Sequence, residues 1–182
     1  MRVVLITILL SVITAGAARA TVVLPADLSE LSHDAVAIAR GRVVAVEPQW
    51  KEGRRGIETL VTLETETYLK GSLGDVVQFR VPGGSLGRFS SIVVGAPQFT
   101  VGQRVILFLG SRGPSVPYVL GLSQGVFRIA RAADNSGWVV MPPTLWPATA
   151  GDVRVVRGET SRRPVRLDDF EQRIRVLAGG AK

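Results

Sequence analysis

Two serines sit in the pattern G-x-S-x-G, as Gly83-Gly84-Ser85-Leu86-Gly87 and as Gly121-Leu122-Ser123-Gln124-Gly125. In hydrolases that spacing holds a nucleophilic serine on a sharp strand-to-helix turn, where helix backbone donors face the oxyanion. Each match follows a strand signal, but the stretches after them, RFSSIVVG and VFRIAR, read as strand again. The one histidine, His33, precedes both serines, against the Ser, Asp, His order of that family. Glycines beside serine in such a chain mark turns or bulges. The expectation is therefore no enzyme, with a serine hydrolase kept only as the last alternative.

Other reactive groupings are few. His33 and Asp34 are adjacent, so on a helix they point in different directions rather than forming a base and its orienter. With one histidine, no cysteine and no calcium-loop spacing, the chain is expected to hold no metal and no cofactor. Glu58, Glu64 and Glu66 alternate along one strand and read as its solvated side. Two groupings combine cations with aromatic faces: Trp50 with Arg54 and Arg55, and Arg88 with Phe89. Such pairs stack bases and hold phosphates in nucleic-acid-binding barrels. The net charge is +7, or +5 without Arg2 and Arg19, which allows attraction to acidic polymers or membrane surfaces.

Met1 to Ala20 reads as a signal peptide: Arg2, an apolar run from Val3 to Thr14, and Ala18-Arg19-Ala20 as a cleavage pattern. Cleavage after Ala20 would send the protein out of the cell or into the periplasm. No later apolar run reaches the roughly 20 residues of a membrane-spanning helix. The remaining chain, about 160 residues, can bury a core without disulfides, as a chain lacking cysteine must. The expected organisation is a signal peptide at 1–20, a β-barrel domain at 21–141 and a Pro/Arg-rich extension at 142–182 that ends in a helix.

The elements that would position these groups start at Asp27, an N-cap with Glu30 three residues on, opening a two-turn helix. Val36 to Val46 reads as a strand bulged at Gly41, and Pro48 to Gly56 as a charged hairpin loop. Ile57 to Leu69 alternates with period two, and Val77 to Val81 repeats the alternation after KGSLGD, predicting an antiparallel pair. Ile92 to Val94 reads as a strand broken by Gly95-Ala96-Pro97. The run Val105 to Leu109 is apolar on both faces and predicts a central strand. Tyr118 to Leu122, Val126 to Ala130 and Trp138 to Met141 follow as short strands. Near the end, Asp168 with Glu171 predicts a second capping box, and Phe170, Ile174 and Leu177 share one helical face.

The order of these phrases, from DAVAIARGRVVAVE through IETLVTLETETYLKG and VVQFRVPGG to FTVGQRVILFLG, resembles exported bacterial proteins built like netrin-like and tissue-inhibitor-of-metalloproteinase-like domains. The shared features are a hydrophobic strand carrying G-x-V, a strand ending in L-K-G, and a hydrophobic strand introduced by F-x-x-G-Q. They span Asp27 to Gly110. The resemblance implies a five-stranded OB-type barrel that binds a protein. Inhibitors of that family reach a protease metal through an N-terminal cysteine, whereas the expected start here is Thr21 and the chain has no cysteine.

The sequence thus predicts a mainly β protein: a small OB-like barrel, closed or partly open, with extra strands, a short N-terminal helix and an amphipathic C-terminal helix. It is expected to be a monomeric, exported binding module for a protein partner, an exported protease among the candidates. The expected contacts are Gly83, Gly84, Ser85, Arg88 and Phe89 in GGSLGRF, Ser123 and Gln124 in GLSQG, and Trp50, Arg54 and Arg55 in the charged hairpin. The alternative is a binder of polyanions such as lipopolysaccharide, nucleic acid or acidic polysaccharide, using the Arg54-Arg55 loop and the arginine-rich tail.

Overall fold

The computed structural model of the chain describes residues 26–113, 115–143 and 163–179. The predicted signal peptide and most of the Pro/Arg-rich segment lie outside them. Helix α1 (Leu28–Asp34) opens on the expected capping box, in which Asp27 accepts from the backbone and Glu30 reaches back to the Asp27 N–H. Strand β1 (Ala37–Trp50) then pairs along its length with β2 (Ile57–Lys70), which pairs with β3 (Val76–Pro82). A small separate hairpin, β4 (Gly84–Leu86) and β5 (Phe89–Ser91), leads to the central strand β6 (Arg104–Gly110). The chain continues through β7 (Tyr118–Val119), β8 (Val126–Arg131), β9 (Trp138–Met141) and β10 (Val165–Arg166) into helix α2 (Leu167–Gly179).

The large sheet curls into a partly closed ring, because β1 pairs with β6 as well as with β2. Around the ring the order is β1, β2, β3, β7, β6 and back to β1, with β3 and β7 parallel and joined by the single pairing of Arg80 with Tyr118. That is the OB-like, five-stranded, partly open barrel expected from the sequence. Curvature comes from β1, whose register against β2 slips between Arg40 and Gly41 and again between Val43 and Ala45. A Cβ at Gly41 would run into the Glu64 carbonyl, so the close approach at this bulge needs glycine.

Two apolar cores lie on opposite sides of this sheet. Inside the ring are Val43, Val61, Leu63, Phe79, Val105, Leu107 and Leu109 with their neighbours. Outside it, Ile38, Ile106, Phe108, Phe127, Ile129 and Val140 are covered by Leu28 and Leu31 of α1 and by Phe170 and Ile174 of α2. The central strand therefore reads apolar on both faces because each face has its own core. Helix α2 lies on the barrel by the face that Phe170, Ile174 and Leu177 define.

Several expectations need correction. Ile92–Val94 is not a strand: it has no ladder partner and stands exposed, because the chain is held here by Gly95 and the β4–β5 hairpin rather than by the sheet. Tyr118–Leu122 shortens to two strand residues, and Leu122–Gly125 winds into a 3-10 turn with Leu122 at φ 56°. The charged loop is tighter than predicted, since β1 runs to Trp50 and the turn is only 51–56. Helix α2 begins at Leu167, so Asp168 lies inside its first turn, and Glu171 spends its carboxylate on Arg40 and Arg175 instead of a capping box.

Candidate functional site: a groove under the β4–β5 hairpin

Gly83 and Gly84, at φ 89° and 143°, turn the chain off the end of β3 into the β4–β5 hairpin, a path that residues with side chains rarely take. The corner is pinned by the Gly83 N–H donating to the Ile57 carbonyl at 3.1 Å and by Thr59 Oγ1 donating to the Gly83 carbonyl at 2.8 Å. A Cβ at Gly83 would meet the Ser91 carbonyl, and one at Gly84 would meet Thr59 Oγ1. Ser85 then pairs with Ser90 across the hairpin, their Oγ atoms 3.1 Å apart. No helix follows Ser85, so this G-x-S-x-G is the hairpin corner and not a nucleophile turn.

The hairpin folds Phe89 against Trp50, edge to face with ring centroids 5.2 Å apart, and the Arg88 guanidinium lies 5.1 Å from the Phe89 ring centre. Gly83, Gly84, Ser85, Arg88, Phe89 and Trp50 are thus one locality. Arg54 and Arg55 are exposed on the turn that Trp50 opens, which is closed by Lys51 N–H to Gly56 and Arg54 N–H to Lys51. Arg54, Arg55 and Arg88 have no carboxylate within 4.0 Å among the described residues, whereas Arg80 on β3 sits 3.8 Å from Glu58.

Between this hairpin and the barrel lies a groove of about 480 Å³. Val46, Thr59, Val81 and Phe99 form its barrel side, and Ser90, Ile92, Val93 and Pro97 its outer wall. Phe99 is fixed from beneath by an edge-on contact with buried Phe79 at 5.3 Å. Ile92, in the wall, is 89% exposed, and Val94, two residues on and outside the lining, is 77% exposed, an unusual placement for two β-branched apolar side chains. The sequence reasoning missed Ile92, Val94, Val46 and Thr59. The available signal was a run of only three apolar residues between Ser91 and Gly95-Ala96-Pro97, too short to be held as a strand.

Ser123 and Gln124 do not join this locality. Gln124 is buried, and its Oε1 accepts from the Ala26 N–H at 2.5 Å, tying the start of α1 to the 3-10 turn. It is an internal brace rather than a partner-facing side chain. The Ser123 N–H donates to the Gly95 carbonyl at 3.0 Å, which anchors the far end of the 83–99 excursion. His33 is exposed on α1 and borders a shallow pocket with Ser29, Glu30 and Leu120.

The predicted acidic stripe is also revised. Glu66 is held by both Nε and Nη2 of Arg104, at 2.9 and 2.6 Å, and lies 3.2 Å from Arg40 Nε. Arg40 in turn pairs with Glu171 of α2, and Glu171 with Arg175. The hydrogen bonds from Arg104, with the Arg104, Arg40 and Arg42 charges, hold the Glu66 carboxyl below its ordinary 4.5 despite partial burial. Glu58 accepts from Gln49 at 3.1 Å, and Glu64 alone of the three remains simply solvated.

Among the described residues no three His, Cys, Asp or Glu side chains converge as metal ligands, and no helix is long and apolar enough to cross a membrane. No known protein family matches the chain, and no curated protein matches it.

Proposed function

We propose that this chain is an exported, non-enzymatic binding module whose partner is a protein, bound through the groove beneath the β4–β5 hairpin. The observation that carries this reading is the exposure of Ile92 in the wall of a groove of mixed lining, with exposed Val94 two residues on. Two such residues left in water at a rigid corner lose the stabilisation that burial would give, roughly 1.5–3 kcal/mol for each side chain fully covered. A partner segment laid along the groove recovers it. The hairpin and the adjoining turn add chemistry: Arg54, Arg55 and Arg88 stand exposed with no carboxylate within 4.0 Å among the described residues, so the segment that fits is apolar at its centre and acidic at its flanks. Export rests on the Met1–Ala20 pattern, and an exported protease remains one candidate owner of such a segment.

The test is a selection of displayed random peptides against the folded protein. Enrichment of short apolar peptides with Asp or Glu flanks, competed away by replacing Ile92 and Val94, supports the proposal. Enrichment of basic or purely polar peptides, or peptides insensitive to those replacements, refutes it.

A further inference from the structure

The outer face of the barrel changes character along its length. Where the helices cover it, β6, β8 and β9 present Ile106, Ile129 and Val140. Beyond the helices the same face carries Arg42 on β1, Arg104 directly opposite it on β6, and the cross-strand pair of Arg131 and Trp138 on β8 and β9. Contact joins three of these four: the Arg131 and Arg104 guanidinium groups lie 4.4 and 4.8 Å from the centre of the Trp138 ring, and Arg42 adjoins them through its register with Arg104. Arg42 and Arg104 are directly opposed on neighbouring strands, about 4.8 Å apart, and Arg131 lies diagonally beyond them on β8, so the three cations are close together on one face.

The charges in this cluster are unequally spent. Arg104 is committed to Glu66, which fixes it beneath Trp138. Arg131 is exposed and has no carboxylate within 4.0 Å among the described residues, and neither has Arg42, although Glu64 is its cross-strand neighbour on β2. Nearby Asp134 is engaged by the Ser136 N–H at 2.9 Å. With 22 Lys and Arg against 15 Asp and Glu, the chain cannot neutralise its own cations. A guanidinium stacked on an aromatic ring keeps its edge donors for a ligand, and their fork matches the paired oxygens of phosphate.

We propose that the cluster of Arg42, Arg104, Trp138 and Arg131 is a binding site for a linear polymer of closely spaced phosphate groups, separate from the groove under the β4–β5 hairpin. Arg104 is its fixed floor, and Arg42 and Arg131 make the ligand contacts.

The experiment uses the full chain with Trp50→Phe and Trp146→Phe, which leaves Trp138 as the only tryptophan. Long-chain inorganic polyphosphate is titrated against its fluorescence at several salt concentrations. The expected result is a saturable change whose log-affinity falls with log salt, with a slope reduced by roughly 0.7–0.9 for each arginine removed in Arg42→Ala/Arg131→Ala. The companion variant Arg54→Ala/Arg55→Ala removes equal charge elsewhere and is expected to keep the full slope. Equal losses in both variants would mean diffuse attraction and overturn the site. A loss confined to the Arg54/Arg55 variant would move binding to the hairpin and overturn it as well. Tighter binding of heparin or of anionic phospholipid vesicles than of polyphosphate would overturn the ligand assignment. Orthophosphate binding as tightly as the polymer would contradict a multi-arginine cluster.

Discussion

Glu66 shows how a residue's role depends on neighbours remote in sequence. In the strand it alternates with Thr65 and Thr67 like any solvated glutamate, yet two arginines from β1 and β6 converge on it. Its folded carboxyl titrates below 4.5, so its contribution is fully present above that value and is lost as pH falls through the lowered one. Glu66→Gln should therefore destabilise the protein at neutral pH by about 1 kcal/mol, the scale of a partly screened ion pair. Urea unfolding should show the gap to the parent protein closing as pH drops below 4.5. A different device operates at Gly41, where the bulge leaves no room for a Cβ. Gly41→Ala should cost about 2–3 kcal/mol, as overpacking against backbone does, and denaturant titration measures it directly. Gly41 was legible as a bulge because it breaks the phase of a hydrophobic alternation. The Glu66 network was not, since Arg40 and Arg104 are brought to it by a ring closure that local spacing does not encode.

At the scale of elements, legibility follows how local the stabilising contacts are. Helix α1 was readable from Asp27 and Glu30 because its cap is made within one turn. The face of α2 was readable from Phe170, Ile174 and Leu177, but its start was misplaced, because Glu171 is recruited by Arg40 rather than by its own helix end. Ile92–Val94 was misread for the complementary reason: β propensity describes a side chain that fits a sheet, and no strand is beside it. The outer core gives a quantitative check. Ile174 is fully buried between α2 and the sheet while Val176, two residues on, is 69% exposed. Ile174→Ala should cost about 2–4 kcal/mol, whereas Val176→Ala should change stability by no more than about 0.5 kcal/mol. Thermal or urea unfolding of the two variants separates a packed helix from one merely resting on the surface.

The whole molecule divides its labour between the two sides of one curled sheet. The ring interior and the helix-covered outer face supply the stability, and the 83–99 excursion packs only Ala96 and Phe99 against the inner core while its remaining length walls a groove. A barrel could be anticipated from the bulge at Gly41, since curvature and closure of small barrels are made with such bulges. The groove could not, because the hairpin and the segment after it fold back over the ends of β1 and β2, bringing Val46 and Thr59 against residues as distant in sequence as Val93 and Ser90. The central claim is that this groove, with Ile92 in its wall, Val94 beside it and arginines on the neighbouring hairpin and turn, binds an apolar, acid-flanked protein segment. The direct measurement is the Kd of a selected peptide for the parent protein and for Ile92→Ser/Val94→Ser, with unfolding curves run in parallel. The account predicts a loss of about thirtyfold or more, equivalent to about 2 kcal/mol of lost apolar burial, with stability unchanged. Equal affinity in a folded variant would contradict it.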